Sequence, residues 1–92
     1  MTTYFLPSPH MTFETVMSDK GRWIEFLTTL NENTCVFDVS HVVECDSAGL
    51  AFLIESKKMS LNRKIKCHYA GLSDKILSFI WFFGVEAILE GE

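Results

Sequence analysis

The most chemically suggestive residues in this chain are an acid and a hydroxyl in tandem, Asp46-Ser47, set just before an apolar run that recurs at helical spacing from Leu50. Asp and Ser are both helix-capping types, so Ser47 is expected at, or one residue inside, a helix N-terminus. Such a terminus carries unpaired backbone N–H groups and the positive end of the helix dipole. A hydroxyl placed there can carry a phosphate, because both features favour added negative charge. Plain capping accounts for the same two residues, and for an isolated Asp-Ser it is the better account.

Other chemistries have less behind them. Asp38, His41 and Ser47 supply the residue types of a nucleophilic triad, but no oxyanion-hole motif or Gly-x-Ser-x-Gly elbow accompanies them. His10, His41 and His68 are far apart and have no Cys or carboxylate partner at ligand spacing, which argues against a metal. Cys35, Cys45 and Cys67 are odd in number and form no C-x-x-C pair. They read as buried, reduced thiols of a cytosolic protein rather than a disulfide framework or zinc site. No glycine-rich phosphate loop is present, so no cofactor is expected and the chain reads as a non-enzyme. A formal charge of −4 and no Lys- or Arg-rich run leave no footprint for nucleic acid.

These residues need elements to position them. Cys35 to Val39 has strand-forming residues bounded by turn types, and its near-continuous apolar character suggests burial on both faces. A short loop then leads to a helix over about residues 47–61, with Leu50, Leu53, Ile54 and Leu61 as an inward stripe and Glu55, Lys57 and Lys58 on a solvated face. Ile65, Cys67 and Tyr69 alternate with polar residues as the next strand, which completes a parallel strand-helix-strand crossover. Upstream, residues 3–6 and 11–13 are short strand candidates separated by Pro7-Ser8-Pro9. A helix over about 15–30 follows, with Trp23, Phe26, Leu27 and Leu30 facing the core and a kink or break plausible at Gly21. Ser73 or Asp74 caps a last helix that ends near Gly84, and residues 85–89 form a final short strand or docking segment.

Ninety-two residues with 48% apolar content make one small globular domain, spanning residues 1–92. No signal peptide is apparent, and the longest apolar run, Phe79 to Phe83, is far too short to span a bilayer, so a soluble cytoplasmic protein is expected. That run nevertheless points all round its helix. A single sheet covers about half of the circle, so part of Leu77, Trp81 and Phe82 is expected to meet a partner or a second copy of the chain.

The strand end Asp38-Val39-Ser40 followed by Asp46-Ser47-Ala48-Gly49-Leu50 resembles the signature of STAS domains, the anti-sigma-factor-antagonist-like family. Leu6-Pro7 and Met11-Thr12-Phe13-Glu14 resemble the opening of the same domains, with a shortened N-terminal hairpin. The resemblance implies a STAS-like α/β fold: a small mixed β-sheet with helices packed mainly on one side. It also implies that Ser47 is the regulatory, phosphorylatable position.

Within that family, the Asp46 to Ile54 stretch and the tail Ala70-Gly71-Leu72-Ser73-Asp74-Lys75-Ile76 before an aromatic helix look most like the STAS subunit of Mla phospholipid-transport ABC systems. That implies a non-enzymatic interaction subunit that binds the cytoplasmic ATPase of a transporter, and through it the membrane. The alternative is an anti-sigma-factor antagonist released by a serine kinase that phosphorylates Ser47. In either case the partner-binding residues are expected to be His41, Asp46, Ser47, Ala48, Gly49, Trp81 and Phe82.

Overall fold

The computed structural model describes residues 3–83, including the side chains of residues 3–78. The chain runs β1 (Tyr4–Phe5), β2 (His10–Met11), α1 (Val16–Thr29), β3 (Thr34–Asp38), β4 (Glu44–Cys45), α2 (Ser47–Asn62), β5 (Lys66–Ala70) and α3 (Asp74–Phe83). The side chains of Trp81 and Phe82, the stop at Gly84 and the segment 85–89 lie outside the described residues.

β3 is the middle strand of a three-stranded sheet in the order β1-β3-β5, and β2 and β4 form a separate two-stranded sheet. All three described ladders are parallel. β1 and β2 therefore do not pair as a hairpin; each joins a strand from the second third of the chain, at Tyr4↔Val36 and His10↔Glu44. The β3–α2–β5 crossover is present, with Cys35 opposite Cys67 and Phe37 opposite Tyr69.

Alternation along β3 and into the residue after it sends Cys35, Phe37 and Val39 inward, all almost fully buried. Phe37 is the hub: its ring centroid lies 5.1 Å from Phe5, 5.1 Å from Trp23, 5.8 Å from Phe52 and 5.2 Å from Tyr69. Trp23 and Leu27 bring α1 to this face, with Phe26 partly buried beside them, and Phe52 and Leu53 bring α2. The two helices thus cover the same side of the sheet. Val36 and Asp38, on the other side of β3, are only half-buried, so the expected burial on both faces does not occur.

Two details of the helices also differ from expectation. α1 runs unbroken through Gly21, whose missing side chain faces open space, so the glycine lowers propensity without bending the helix. On α2 the inward stripe is Leu50, Leu53, Lys57 and Ser60, whereas Leu61 is 56% exposed. Lys57, expected in solvent, is 2% exposed. Its Nζ donates to the Cys67 carbonyl at 3.0 Å and lies 5.7 Å from the centre of the Tyr69 ring. Its four-carbon stem packs like an apolar residue, and a β5 carbonyl receives its charged end.

Candidate functional site: the N-terminus of the second helix

Asp46 has an extended backbone and caps α2 in the ordinary way, with Oδ1 accepting from the Gly49 N–H at 2.9 Å. Its second oxygen accepts from the Phe13 N–H at 3.1 Å, and its own N–H donates to the Met11 carbonyl at 3.2 Å. One residue thus stitches the start of α2 to the end of β2. The Gly49 N–H holds the Asp46 carboxyl below the usual carboxylate range, assisted by the Phe13 N–H.

Ser47 is the first residue of α2 and is exposed. Gly49, two residues on, is buried. A Cβ there would lie 2.1 Å from the Met11 carbonyl oxygen and 3.0 Å from the Cys45 Sγ. The glycine is thus what lets α2 begin hard against β2. Ala48 is half-buried and lines a shallow groove between α1 and α2 together with Val16, Met17, Lys20, Ala51 and Glu55. The Lys20 Nζ meets the Glu55 carboxylate at 2.9 Å.

Large apolar residues remain exposed on the segments next to this terminus. Phe13, whose amide Asp46 holds, is 72% exposed, and Met17 in the groove is 77% exposed. Val43, just before β4, is exposed as well, and its N–H donates to the Pro9 carbonyl at 2.8 Å. Exposed apolar side chains beside a fixed backbone are the usual anchors of a protein interface.

His41 is half-buried and 2.6 Å from the Pro7 carbonyl through Nε2. A carbonyl only accepts, so Nε2 carries a proton in this contact. Nδ1 is buried and has no partner among the described residues. His41 therefore ties the loop after β3 to the proline segment. Asp38 turns to its own strand end and accepts from the Ser40 N–H at 2.9 Å. Among the described residues no hydrogen bond links Ser47, His41 and Asp38, so the triad these residue types suggest is not assembled.

The two other histidines lie elsewhere: His10 meets Glu44 at 2.8 Å across the β2–β4 ladder, and His68 is exposed on β5. Trp81 belongs to the last turn of α3, and neither its side chain nor that of Phe82 is described. No cluster of three or more metal-ligating side chains occurs among the described residues, and none of their helices is long and apolar enough to cross a membrane.

Two polar residues that support this region are not visible as such in the sequence. Asp19, fully buried on α1, accepts from the Ser8 N–H at 3.0 Å, from the Ser8 hydroxyl at 2.9 Å and from Arg22 at 2.9 Å. It anchors the Pro7–Pro9 segment that His41 also grips. Lys57 is the other. The 3-4-3 spacing of Leu50, Leu53, Lys57 and Ser60 continues the buried stripe of α2 and is the one sequence signal that could have placed it inside.

With a parallel strand leading into a capped helix, and with α1 and α2 gathered on one sheet face, the described residues form a STAS-like α/β fold. No protein-family model matches the chain, and no curated protein matches it. Among solved structures, it is similar to the crystal structure of a sulfate transporter family protein from Wolinella succinogenes. The TM-score is 0.74 at 18% sequence identity, over 96% of this chain and 70% of that one. At that identity the likeness is one of fold.

Proposed function

We propose that this chain is a non-enzymatic protein-binding module, and that its docking surface is the N-terminus of α2. Its partner on this reading is the cytoplasmic ATPase subunit of a phospholipid-transport ABC system. The observation that carries the proposal is the exposed Ser47 on a backbone fixed from both sides, by the Asp46 bonds to Gly49 and Phe13 and by the close seat of Gly49 on Met11. A rigid polar centre beside the exposed side chains of Phe13 and Met17 has the make-up of an interface rather than of a reaction site. Ser47 and Ala48 make the contact, Asp46 and Gly49 hold them in place, and His41 fixes the neighbouring loop.

The resemblance of residues 38–42 and 46–54 and of the tail before the aromatic helix to transporter STAS subunits supports the transporter partner. One observation favours a second reading. The Ser47 hydroxyl is open to solvent at the positive end of a 16-residue helix, a place suited to a phosphate group. An anti-sigma-factor antagonist switched by a serine kinase would use it in that way.

Co-expression with a phospholipid-transporter ATPase subunit tests the first reading. The wild-type chain should co-purify with the ATPase in a fixed ratio, and Phe13→Ser and Ser47→Asp should each abolish co-purification while leaving the circular dichroism spectrum unchanged. Wild-type chain that fails to associate, yet takes up labelled phosphate at Ser47 from a serine kinase and is thereby released from it, would replace the first reading by the second.

A further inference from the structure

The core holds a pair of thiols that the interface reading does not use. Cys35 on β3 and Cys67 on β5 are direct partners in a parallel ladder, and both are fully buried. Residues opposite one another in a sheet project from the same face, and neighbouring strands run about 4.8 Å apart. A disulfide spans Cα separations of about 4.4–6.8 Å, so this register brings the pair within reach of one, whereas residues on opposite faces would not be. Each thiol shifts the titration of the other, as close neighbours do. The third cysteine, Cys45, lies apart on β4, with its sulfur directed to the Asp46 carbonyl.

We propose that Cys35 and Cys67 are a redox-responsive dithiol that a hydroperoxide converts to an intramolecular disulfide within the folded protein. The nucleophile is the Cys35 sulfur. Its neighbour Cys67 and the nearby Lys57 ammonium hold its thiol below the ordinary cysteine range against the effect of burial. The Cys67 thiol is pushed up, by its neighbour Cys35 and by burial, and keeps its proton. Attack of the Cys35 thiolate on hydrogen peroxide breaks the O–O bond. A sulfenic acid forms on Cys35, and the departing hydroxide takes up a proton to become water.

The Cys67 sulfur then attacks the sulfenic sulfur. The S–S bond forms, the S–O bond breaks, and the hydroxyl leaves with the Cys67 proton as a second water. In total two thiols and one peroxide give one disulfide and two waters. A small dithiol reverses the step by exchange and leaves as its own cyclic disulfide. Peroxide is small enough to enter during brief core openings that would exclude a bulky disulfide. The bond would close a ring that contains the whole of α2, including Ser47.

The test is to expose the folded full-length chain to hydrogen peroxide, block free thiols in denaturant, and map peptides after cleavage at Lys and at Glu. Cleavage after Glu44 separates Cys35 from Cys45. The expected result is a peptide pair joined through Cys35 and Cys67, dissociated by dithiothreitol, with Cys45 still a free thiol. Cys45→Ala should give the same pair in the same yield. Three results would each overturn the proposal. One is direct passage of either sulfur to sulfinic or sulfonic acid without a cross-link. Another is a bond that includes Cys45 or a second molecule. The third is a Cys35–Cys67 bond that forms only above the urea midpoint of unfolding.

Discussion

Gly49→Ala sets two effects of opposite sign against each other, and the structure decides between them. Gly49 is the third residue of α2. From propensity alone an alanine there should stabilise the helix by about 1 kcal/mol. The added Cβ, however, would lie 2.1 Å from the Met11 carbonyl oxygen, where ordinary contact begins near 3.4 Å, so the two must part by about 1.3 Å. The obstacle is backbone and has no rotamer to change. That same carbonyl accepts the Asp46 N–H, and Met11 is the last residue of the β2–β4 ladder. Moving it loosens the cap and the ladder together.

Overpacking of this kind costs about 1–3 kcal/mol, and loss of a further backbone hydrogen bond about 1 kcal/mol. The net expectation is a loss of about 1–3 kcal/mol after the helix gain is subtracted. For a domain of this size that lowers Tm by roughly 5–20 °C. Urea and thermal unfolding of the wild type and Gly49→Ala, followed by circular dichroism, give the number. A variant as stable as the wild type, or more stable, would refute the argument that Gly49 is there for close approach and leave only its propensity.

Ser47→Asp should fold normally and gain about 0.3–1 kcal/mol, because a carboxylate favours a helix N-terminus, while binding of the ATPase is lost; chemical unfolding and co-purification read the two effects separately. Asp46→Ala should destabilise the chain at neutral pH. Because the folded Asp46 carboxyl titrates below its ordinary value near 4, the stability it supplies is present above that value and vanishes as pH falls through the folded one. Urea midpoints of the wild type and Asp46→Ala should accordingly converge on acidification. Lys57→Ala deletes a buried stem and should cost about 2–5 kcal/mol, whereas Lys57→Met keeps most of the volume and should cost clearly less. Equal losses in a denaturant titration would show that the ammonium, and not the stem, is what the core needs.

What the sequence made legible was local. A cap is specified within three residues, so Asp46-Ser47 placed the start of α2 correctly, and alternation placed Ile65, Cys67 and Tyr69 on one face of the strand. What it hid depends on partners far along the chain. β4 is two residues long and exists because Glu44 and Cys45 meet β2, which no propensity announces. Lys57 looked solvated because a charge usually is, and the Cys67 carbonyl that helps make its burial tolerable lies on the next strand. Apolar content suggested a doubly covered β3, but coverage is decided by where helices pack. The role of Gly49 required knowing that Met11 lies beneath it.

The pairing pattern carries a consequence for how the chain is made. Tyr4 finds Val36, His10 finds Glu44 and Thr34 finds Lys66, so each ladder joins residues about a third of the chain apart. No hairpin among the described residues offers a cheap first step, and every strand pair must close a long loop before it is rewarded. α1 and α2 can form transiently as soon as they are synthesised, but β3 lacks its β5 neighbour until residue 70 has left the ribosome. Folding of these residues should therefore be nearly all-or-none and should wait for β5. A nascent chain halted before β5 would present the inner face of β3, with Phe37 and Cys35 uncovered, to whatever binds exposed apolar strands.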